Sequence, residues 1–189
     1  MRAPKREHLL NTAETLFAKE GFKGVSVSQL LDEAGVAKMT LYKGFESKEE
    51  LIRETLRRRA SRLHSLLAEF TEKEGLNPQE RLLACFDGAK SIASRQDFNG
   101  CYFINALAEF GNEDGAEAEI ARHHKENIIK LLRDLCEECD VPDALELAKT
   151  MHLLIEGATT AHMALNDLGN FDRAKHIAQA LLADAMRKN

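Results

Sequence analysis

The chain has 189 residues and a net charge of −5, and it is 44% hydrophobic and 30% charged, a balance too apolar for a disordered chain and ordinary for a globular one. No apolar run approaches the roughly 20 residues of a membrane-spanning helix, and the basic start Met1–His8 leads into no apolar segment, so neither a span nor a secretory leader is expected and a cytoplasmic location is. Four Cys are too few for a disulfide framework in a chain this long, while 3 Pro, 11 Gly and abundant Leu, Ala, Glu and Lys point to an all-α fold.

Residues 1–60 hold 12 Lys and Arg against 9 Asp and Glu, a net of +3, whereas the remainder holds 14 against 22, a net of −8. A basic head on an acidic body suggests a polyanion-binding module attached to something else.

Helix-period patterns cover nearly the whole chain and predict about nine helices. The first runs from about Pro4 to Lys19 on Leu9, Leu10, Ala13, Leu16 and Phe17, and Gly21 stops it. Ser26 caps the second, with Gln29 at capping-box spacing, and Gly35 suits the left-handed position after Ala34. A short third helix spans about Lys38–Lys43. Ser47 and Glu50 form a second capping-box pattern for a fourth, Lys48 to about Glu72. Asn77 and Pro78 start a fifth, which extends to about Ser94, and the sixth covers about Tyr102–Phe110. The seventh carries Ile120, Ile128, Ile129, Leu132, Leu135, Cys136 and Cys139. The eighth spans about Asp143–Asn166 and the ninth about Phe171–Arg187.

The segment Ser26–Tyr42 is a helix, a short Gly turn and a second short helix, the layout in which the second helix enters a DNA major groove. Leu30, Val36 and Leu41 are spaced to pack inward, leaving Lys38, Met39, Thr40, Tyr42 and Lys43 outward for phosphates, base edges and a thymine methyl. By itself this segment fits a helical hairpin with a solvated face equally well.

The wider run decides between the two. Phe17 and Phe22, Val25-Ser26-Val27, Ala34-Gly35-Val36, Thr40-Leu41-Tyr42, Phe45 and Ser47-Lys48-Glu49-Glu50-Leu51 together resemble the TetR family of bacterial transcriptional regulators, over about residues 6–52. The resemblance implies a three-helix DNA-binding head, here residues 1–46, and a helical effector-binding and dimerisation body, here residues 47–189. It implies a homodimer formed mainly by the last two helices, and repression of a palindromic operator in double-stranded DNA, relieved by a small-molecule effector. Ser26, Thr40, Tyr42 and Lys48 fall on positions that meet DNA phosphates in the family, and Lys38, Met39 and Lys43 on the variable positions that set sequence preference. Arg2, Lys5 and Arg6 form a basic arm ahead of the head. The sequence departs from the family pattern at Leu31, Ala37, Met39 and Gly44, with Ala37 losing a Ser cap.

In the body, Asn105 and Glu109 lie one turn apart among apolar residues. Phe86, Tyr102, Asn105, Glu109, Phe110, Met151 and His162 are candidates for a pocket that would take a small organic molecule. Met151, Ile155, Ala158 and His162 of helix eight, with Ile177, Ala178, Leu181 and Leu182 of helix nine, are candidates for the dimer interface.

Two alternatives come from other classes. Glu119, His123 and Glu126 share a helical face that could hold a divalent metal in an enzyme or metal-binding bundle, although exposed charge explains the face as well. Cys136 and Cys139 form a Cys-x-x-Cys that could sense redox state, but they sit on an apolar stripe, where packing explains them. There is no Gly-x-Ser-x-Gly, no Gly-rich phosphate loop and no His-Glu-x-x-His. The expectation is therefore a regulator with no catalytic residue, no metal and no cofactor.

Overall fold

In the computed structural model the described residues are 3–111 and 115–187; among them the backbone forms nine α-helices and no strand. The helices are α1 (Ala3–Glu20), α2 (Val27–Ala34), α3 (Lys38–Gly44), α4 (Lys48–Thr71), α5 (Pro78–Ala93), α6 (Tyr102–Phe110), α7 (Ala116–Glu138), α8 (Ala144–Leu165) and α9 (Gly169–Arg187). The all-α expectation holds; α2, α5 and α8 begin directly after the capping residues Ser26, Asn77 and Asp143, while α9 begins at Gly169, two residues ahead of the expected Phe171.

Asn77 makes the complete capping box: its side chain accepts from Glu80 N at 3.0 Å, and Glu80 returns to accept from Asn77 N at 2.9 Å. The other two boxes are incomplete. Ser26 accepts from Gln29 N at 3.1 Å, but the Gln29 amide donates to Glu20 Oε2 at 2.8 Å instead of turning back. Ser47 accepts from Glu50 N at 3.2 Å, while the Glu50 carboxylate accepts from the backbone N–H of Glu46, one residue before the cap.

Packing divides the chain into two compact units, residues 1–61 with 101–124, and residues 62–100 with 125–189. The expected boundary after residue 46 is one of role; contacts divide the chain elsewhere, because α6 and the start of α7 pack with the head.

In the first unit Leu9, Phe17, Leu30, Leu41, Phe45 and Leu56 are fully or almost fully buried, which brings α1 to α4 around one core. His8 Nε2 lies 3.1 Å from Ala34 O, joining α1 to the end of α2. Phe22 extends this core into α6. Its ring lies 5.5 Å from Phe17, 4.8 Å edge-on from Tyr102 and 5.7 Å from Phe110. The Tyr102 hydroxyl donates to Thr55 Oγ1 at 3.0 Å, and Thr55 donates to Ile52 O at 2.7 Å, so this buried polar pair between α6 and α4 is satisfied. A polar seam also joins α1 to α4. Buried Glu14 accepts from Arg58 Nε at 3.2 Å, Arg58 Nη2 at 2.8 Å and Arg59 Nη1 at 3.2 Å.

In the second unit α8 and α9 pack on each other and on α5. Leu82, Phe86, Leu132, Met151, Phe171 and Ala178 are among its most buried residues. Gly88 lets α5 approach α4, since a Cβ there would stand 2.9 Å from Leu67 Cδ2. Lys175 pairs with Asp87 and Lys90 with Asp172, each at 2.7 Å, fixing α9 along α5. Among the described residues no helix is long and apolar enough to cross a membrane.

Candidate nucleic-acid interface

The helix-turn-helix is built by three local devices. Ser26 has extended backbone angles (φ −84°, ψ 159°) and caps α2 with its hydroxyl. Gly35 takes the left-handed conformation (φ 59°, ψ 36°), and its N–H and that of Val36 donate to Asp32 O and Leu31 O at 3.2 and 3.0 Å. Ala37 then opens α3 with extended angles and no side-chain cap, as expected where Ser is missing.

Leu41 points fully into the core, which turns the opposite side of α3 outward. Met39 is 65% exposed and Tyr42 45% exposed, while Lys38 and Lys43 are exposed and Thr40 is half-buried. Lys38 Nζ stands 6.0 Å from the Tyr42 ring centroid, so the cation and the phenol form one outward patch. Exposed Ser26 and Ser28 lie hydroxyl to hydroxyl at 2.9 Å at the start of α2. Lys48 is half-buried. Burial pushes its ammonium below the ordinary value, and the charges of Glu49 and Glu109 oppose this. An exposed, apolar-tipped face flanked by lysines can enter a groove and neutralise phosphates.

The basic arm divides. Lys5 is exposed, and Arg2 lies outside the described residues. Arg6 is turned inward: its guanidinium donates to Glu54 Oε2 at 3.1 Å and lies 4.5 Å over the Phe45 ring. Arg6 thus ties α1 to α4, a carboxylate and a ring face orienting its planar cation while 39% of the side chain stays exposed.

The seven effector candidates fall in both units. Tyr102, Asn105, Glu109 and Phe110 belong to the first, and Phe86, Met151 and His162 to the second. Tyr102 and Phe110 are core residues packed on Phe22. Glu109 uses both carboxylate oxygens on backbone amides, accepting from Phe22 N at 2.9 Å and Lys23 N at 2.6 Å. Its expected place in a pocket is therefore corrected to a clasp on the turn after α1, where the chain leaves helical geometry and frees those two amides. Sequence reasoning missed this role; the available signal was an acid near the end of one helix and a glycine just past the end of another. In the second unit Phe86 and Met151 are fully buried, and His162 is buried with its ring 5.8 Å from Phe98 and 6.2 Å from Phe171. Among the described residues its Nδ1 has no hydrogen-bond partner. A cleft of about 300 Å³ opens at the start of α8 and the end of α9, between Val141, Leu147, Thr150, Leu181 and Ala185; none of the seven candidates lines it.

The dimer candidates separate as well. Met151, Ile155, Ala158, Ala178 and Leu182 belong to the core of the second unit, and His162 is buried as well. Met151 on α8 and Ala178 and Leu182 on α9 are the most fully buried of them and face the unit's own core. Ile177 and Leu181 face outward, 48% and 37% exposed, and Leu153, which the sequence did not single out, is 70% exposed. Cys85, Cys136 and Cys139 are buried thiols; burial pushes Cys85 and Cys136 up to about 12 and raises Cys139 too. High thiol pKa values withhold the reactive thiolate and disfavour the redox reading.

Residues 9–55 match the family model for bacterial regulatory proteins of the tetR family. The chain is similar to the transcriptional repressor NemR of Escherichia coli K12, 33% identical over 105 residues, which is 55% of this chain and 53% of that protein. It is also similar to the repressor KstR2 of Mycolicibacterium smegmatis, 42% identical over 55 residues, 29% of this chain and 27% of that protein. The matched segments thus span about half or less of these relatives' lengths. Among solved structures, a TetR-family regulator from Streptomyces coelicolor superposes with a TM-score of 0.92 at 21% identity, covering 98% of this chain and 92% of that one. Reduced Escherichia coli NemR gives 0.80 at 24% identity, covering 93% and 95%.

Proposed function

We propose that this chain belongs to the TetR family of bacterial regulatory proteins, whose model its residues 9–55 match, and is a cytoplasmic DNA-binding repressor that acts as a homodimer and responds to a small organic effector. The observation that carries the reading is the outward face of α3. Lys38, Met39, Tyr42 and Lys43 stand in solvent on a short helix whose Leu41 is locked in the core. A half-exposed aromatic and a largely exposed methionine thus share one short face with two lysines. Against a groove, the methionine can meet a thymine methyl and the lysines can meet phosphates.

One experiment tests this. A duplex is selected from a random library by the full chain, and binding is followed by fluorescence anisotropy against salt. Affinity should fall steeply with salt as counterions are released. Tyr42→Ala should weaken selected and random duplexes alike, and Lys38→Ala should also relax preference at one position. Binding that ignores salt, or no selected sequence at all, would refute the reading.

The dimer reading rests on exposed apolar side chains, Leu153 on α8 and Ile177 and Leu181 on α9. Gly157, one turn beyond Leu153, has nothing within 4 Å of where a Cβ would be, so its face is open to close backbone approach. The effector reading narrows to the second unit. There, buried His162 offers Nδ1 as a polar anchor near Phe98 and Phe171, the combination that orients a small molecule in an apolar site.

A further inference from the structure

The chain leaves α1 at Gly21, whose φ of +82° ends the helix. Gly21 N still donates to Phe17 O at 3.1 Å, but the next two amides turn toward α6. There Glu109 accepts from Phe22 N at 2.9 Å and from Lys23 N at 2.6 Å, one hydrogen bond to each oxygen. A Cβ at residue 21 would stand 2.9 Å from Glu109 Oε1, so this position needs glycine both for its backbone angle and for room for the carboxylate. Phe22 is held a second time, with its ring against Tyr102 and Phe110 at the two ends of α6. Lys23 Nζ also stands 5.1 Å over the Phe110 ring. Two amides on one carboxylate make a directional, charge-assisted clasp. Three residues after Lys23 comes Ser26, the cap of α2, and the Gly35 turn passes the direction of α2 on to α3.

We infer that Glu109 is a positioning residue for DNA binding: its carboxylate fixes the turn between α1 and α2, and with it Ser26 and the α3 face. This rests on the DNA-binding reading above. Charge alone predicts the opposite sign. The Glu109 charge reaches Lys48, and removing a negative charge beside a phosphate-facing lysine strengthens attraction to any duplex. Positioning predicts a loss confined to the selected sequence.

The test uses the full chain, the duplex it selects from a random library, and a random duplex of equal length. Binding is read by fluorescence anisotropy at a temperature where circular dichroism shows each protein folded. Glu109→Gln keeps the shape and one acceptor but turns an amide N–H₂ toward a backbone donor. It should weaken the selected duplex by up to about tenfold, the ceiling reached if one charge-assisted hydrogen bond's worth of ordering, at about 1.4 kcal/mol per decade, has to be regained on binding. Glu109→Ala should weaken it further, with the random duplex unchanged or slightly tighter and the salt slope unchanged. In the wild type, exchange of the Phe22 and Lys23 amides should slow when the selected duplex is bound, a readout that needs no variant. Variants that bind the selected duplex as tightly as the wild type, equal losses on both duplexes, or amide exchange indifferent to DNA would each overturn the inference and leave the DNA-binding reading intact. A wild type that selects no sequence and ignores salt overturns both.

Discussion

Glu14 is the most deeply buried carboxylate on α1, with its side chain only 6% exposed. Three N–H groups from two arginines of α4 converge on it, at 2.8 to 3.2 Å. Glu14→Gln would leave two guanidiniums, 18% and 16% exposed, facing a neutral amide. Removing one partner of a buried pair costs about 3–5 kcal/mol, because the remaining charge is desolvated without compensation. Two features of this site reduce the cost. Arg58 keeps Glu7 through Nη1 at 2.6 Å, and Arg59 keeps the Tyr102 ring at 4.8 Å. Gln also retains one acceptor. The expected loss is therefore at the lower end, about 3 kcal/mol, or roughly 6–12 °C in Tm for a chain of this size.

The assay is urea unfolding followed by circular dichroism, with the slope m compared between variants so that a change in compactness is not mistaken for a change in stability. A double-mutant cycle with Arg58→Gln isolates the pair; a coupling of about 1–3 kcal/mol is expected for groups in direct contact. A Glu14→Gln protein within about 0.5 kcal/mol of wild type would refute the reasoning, since losses that small belong to exposed ion pairs.

Three further outcomes are expected. Cys85 and Cys136, pushed up to about 12 by burial, and buried Cys139 should resist a charged disulfide reagent at pH 8, so that native protein shows one fast thiol, half-buried Cys101, and urea-unfolded protein four; more than one fast thiol in the native protein refutes the packing. Ala37→Ser should restore a side-chain cap on α3 and raise stability by about 1 kcal/mol, read as a higher urea midpoint, and an unchanged or lower midpoint would show that the Ala37 geometry does not cap. Burial lowers the His152 pKa from its ordinary 6.5, with Glu156 opposing and Lys125 assisting. The unfolded chain therefore takes up the proton first, stability is full above about 6.5 and drains as pH falls below it, and His152→Gln should flatten the change in urea midpoint between pH 7.5 and 5.5.

The helices were legible because their ends are local. Ser26, Gly35 and the pair Asn77 and Glu80 each act within four residues, and each sits in the structure where its chemistry demands. The third helix was legible as an outward face for the same reason, since Leu41 is its buried anchor. What failed to show in the sequence was set by partners far along the chain. Glu109 binds amides 86 and 87 residues away, and Arg6 binds a carboxylate 48 residues away. A carboxylate among apolar neighbours reads the same whether it faces a cavity or a backbone turn. Helix α8 shows another limit. Met151, Leu153, Leu154 and Ile155 place apolar groups on most of its circumference, so periodicity alone does not say that Met151 faces the core and Leu153 the solvent.

The excess of +3 over residues 1–60 needs the same correction. The arginines of the head and of α4 are largely spent within the first unit. Arg6 holds Glu54, Arg53 holds Glu117 at 2.7 Å, Arg58 holds Glu7 and Glu14, and Arg59 shares Glu14. The lysines at 5, 38 and 43 stand in solvent instead. The division follows side-chain chemistry. A planar guanidinium with several fixed donors can satisfy a half-buried carboxylate and a ring face together, whereas a hydrated ammonium on a flexible stem suits a phosphate met from water. The two cations therefore have different consequences when lost. Replacing an arginine of α4 should be read in stability, because it strands a carboxylate inside the unit. Replacing a lysine of α3 should be read in DNA affinity and salt slope with stability nearly unchanged, because that lysine is already solvated. The composition counts these charges alike, but among the described residues the lysines at 5, 38 and 43 are the ones placed in solvent, where a polyanion is met.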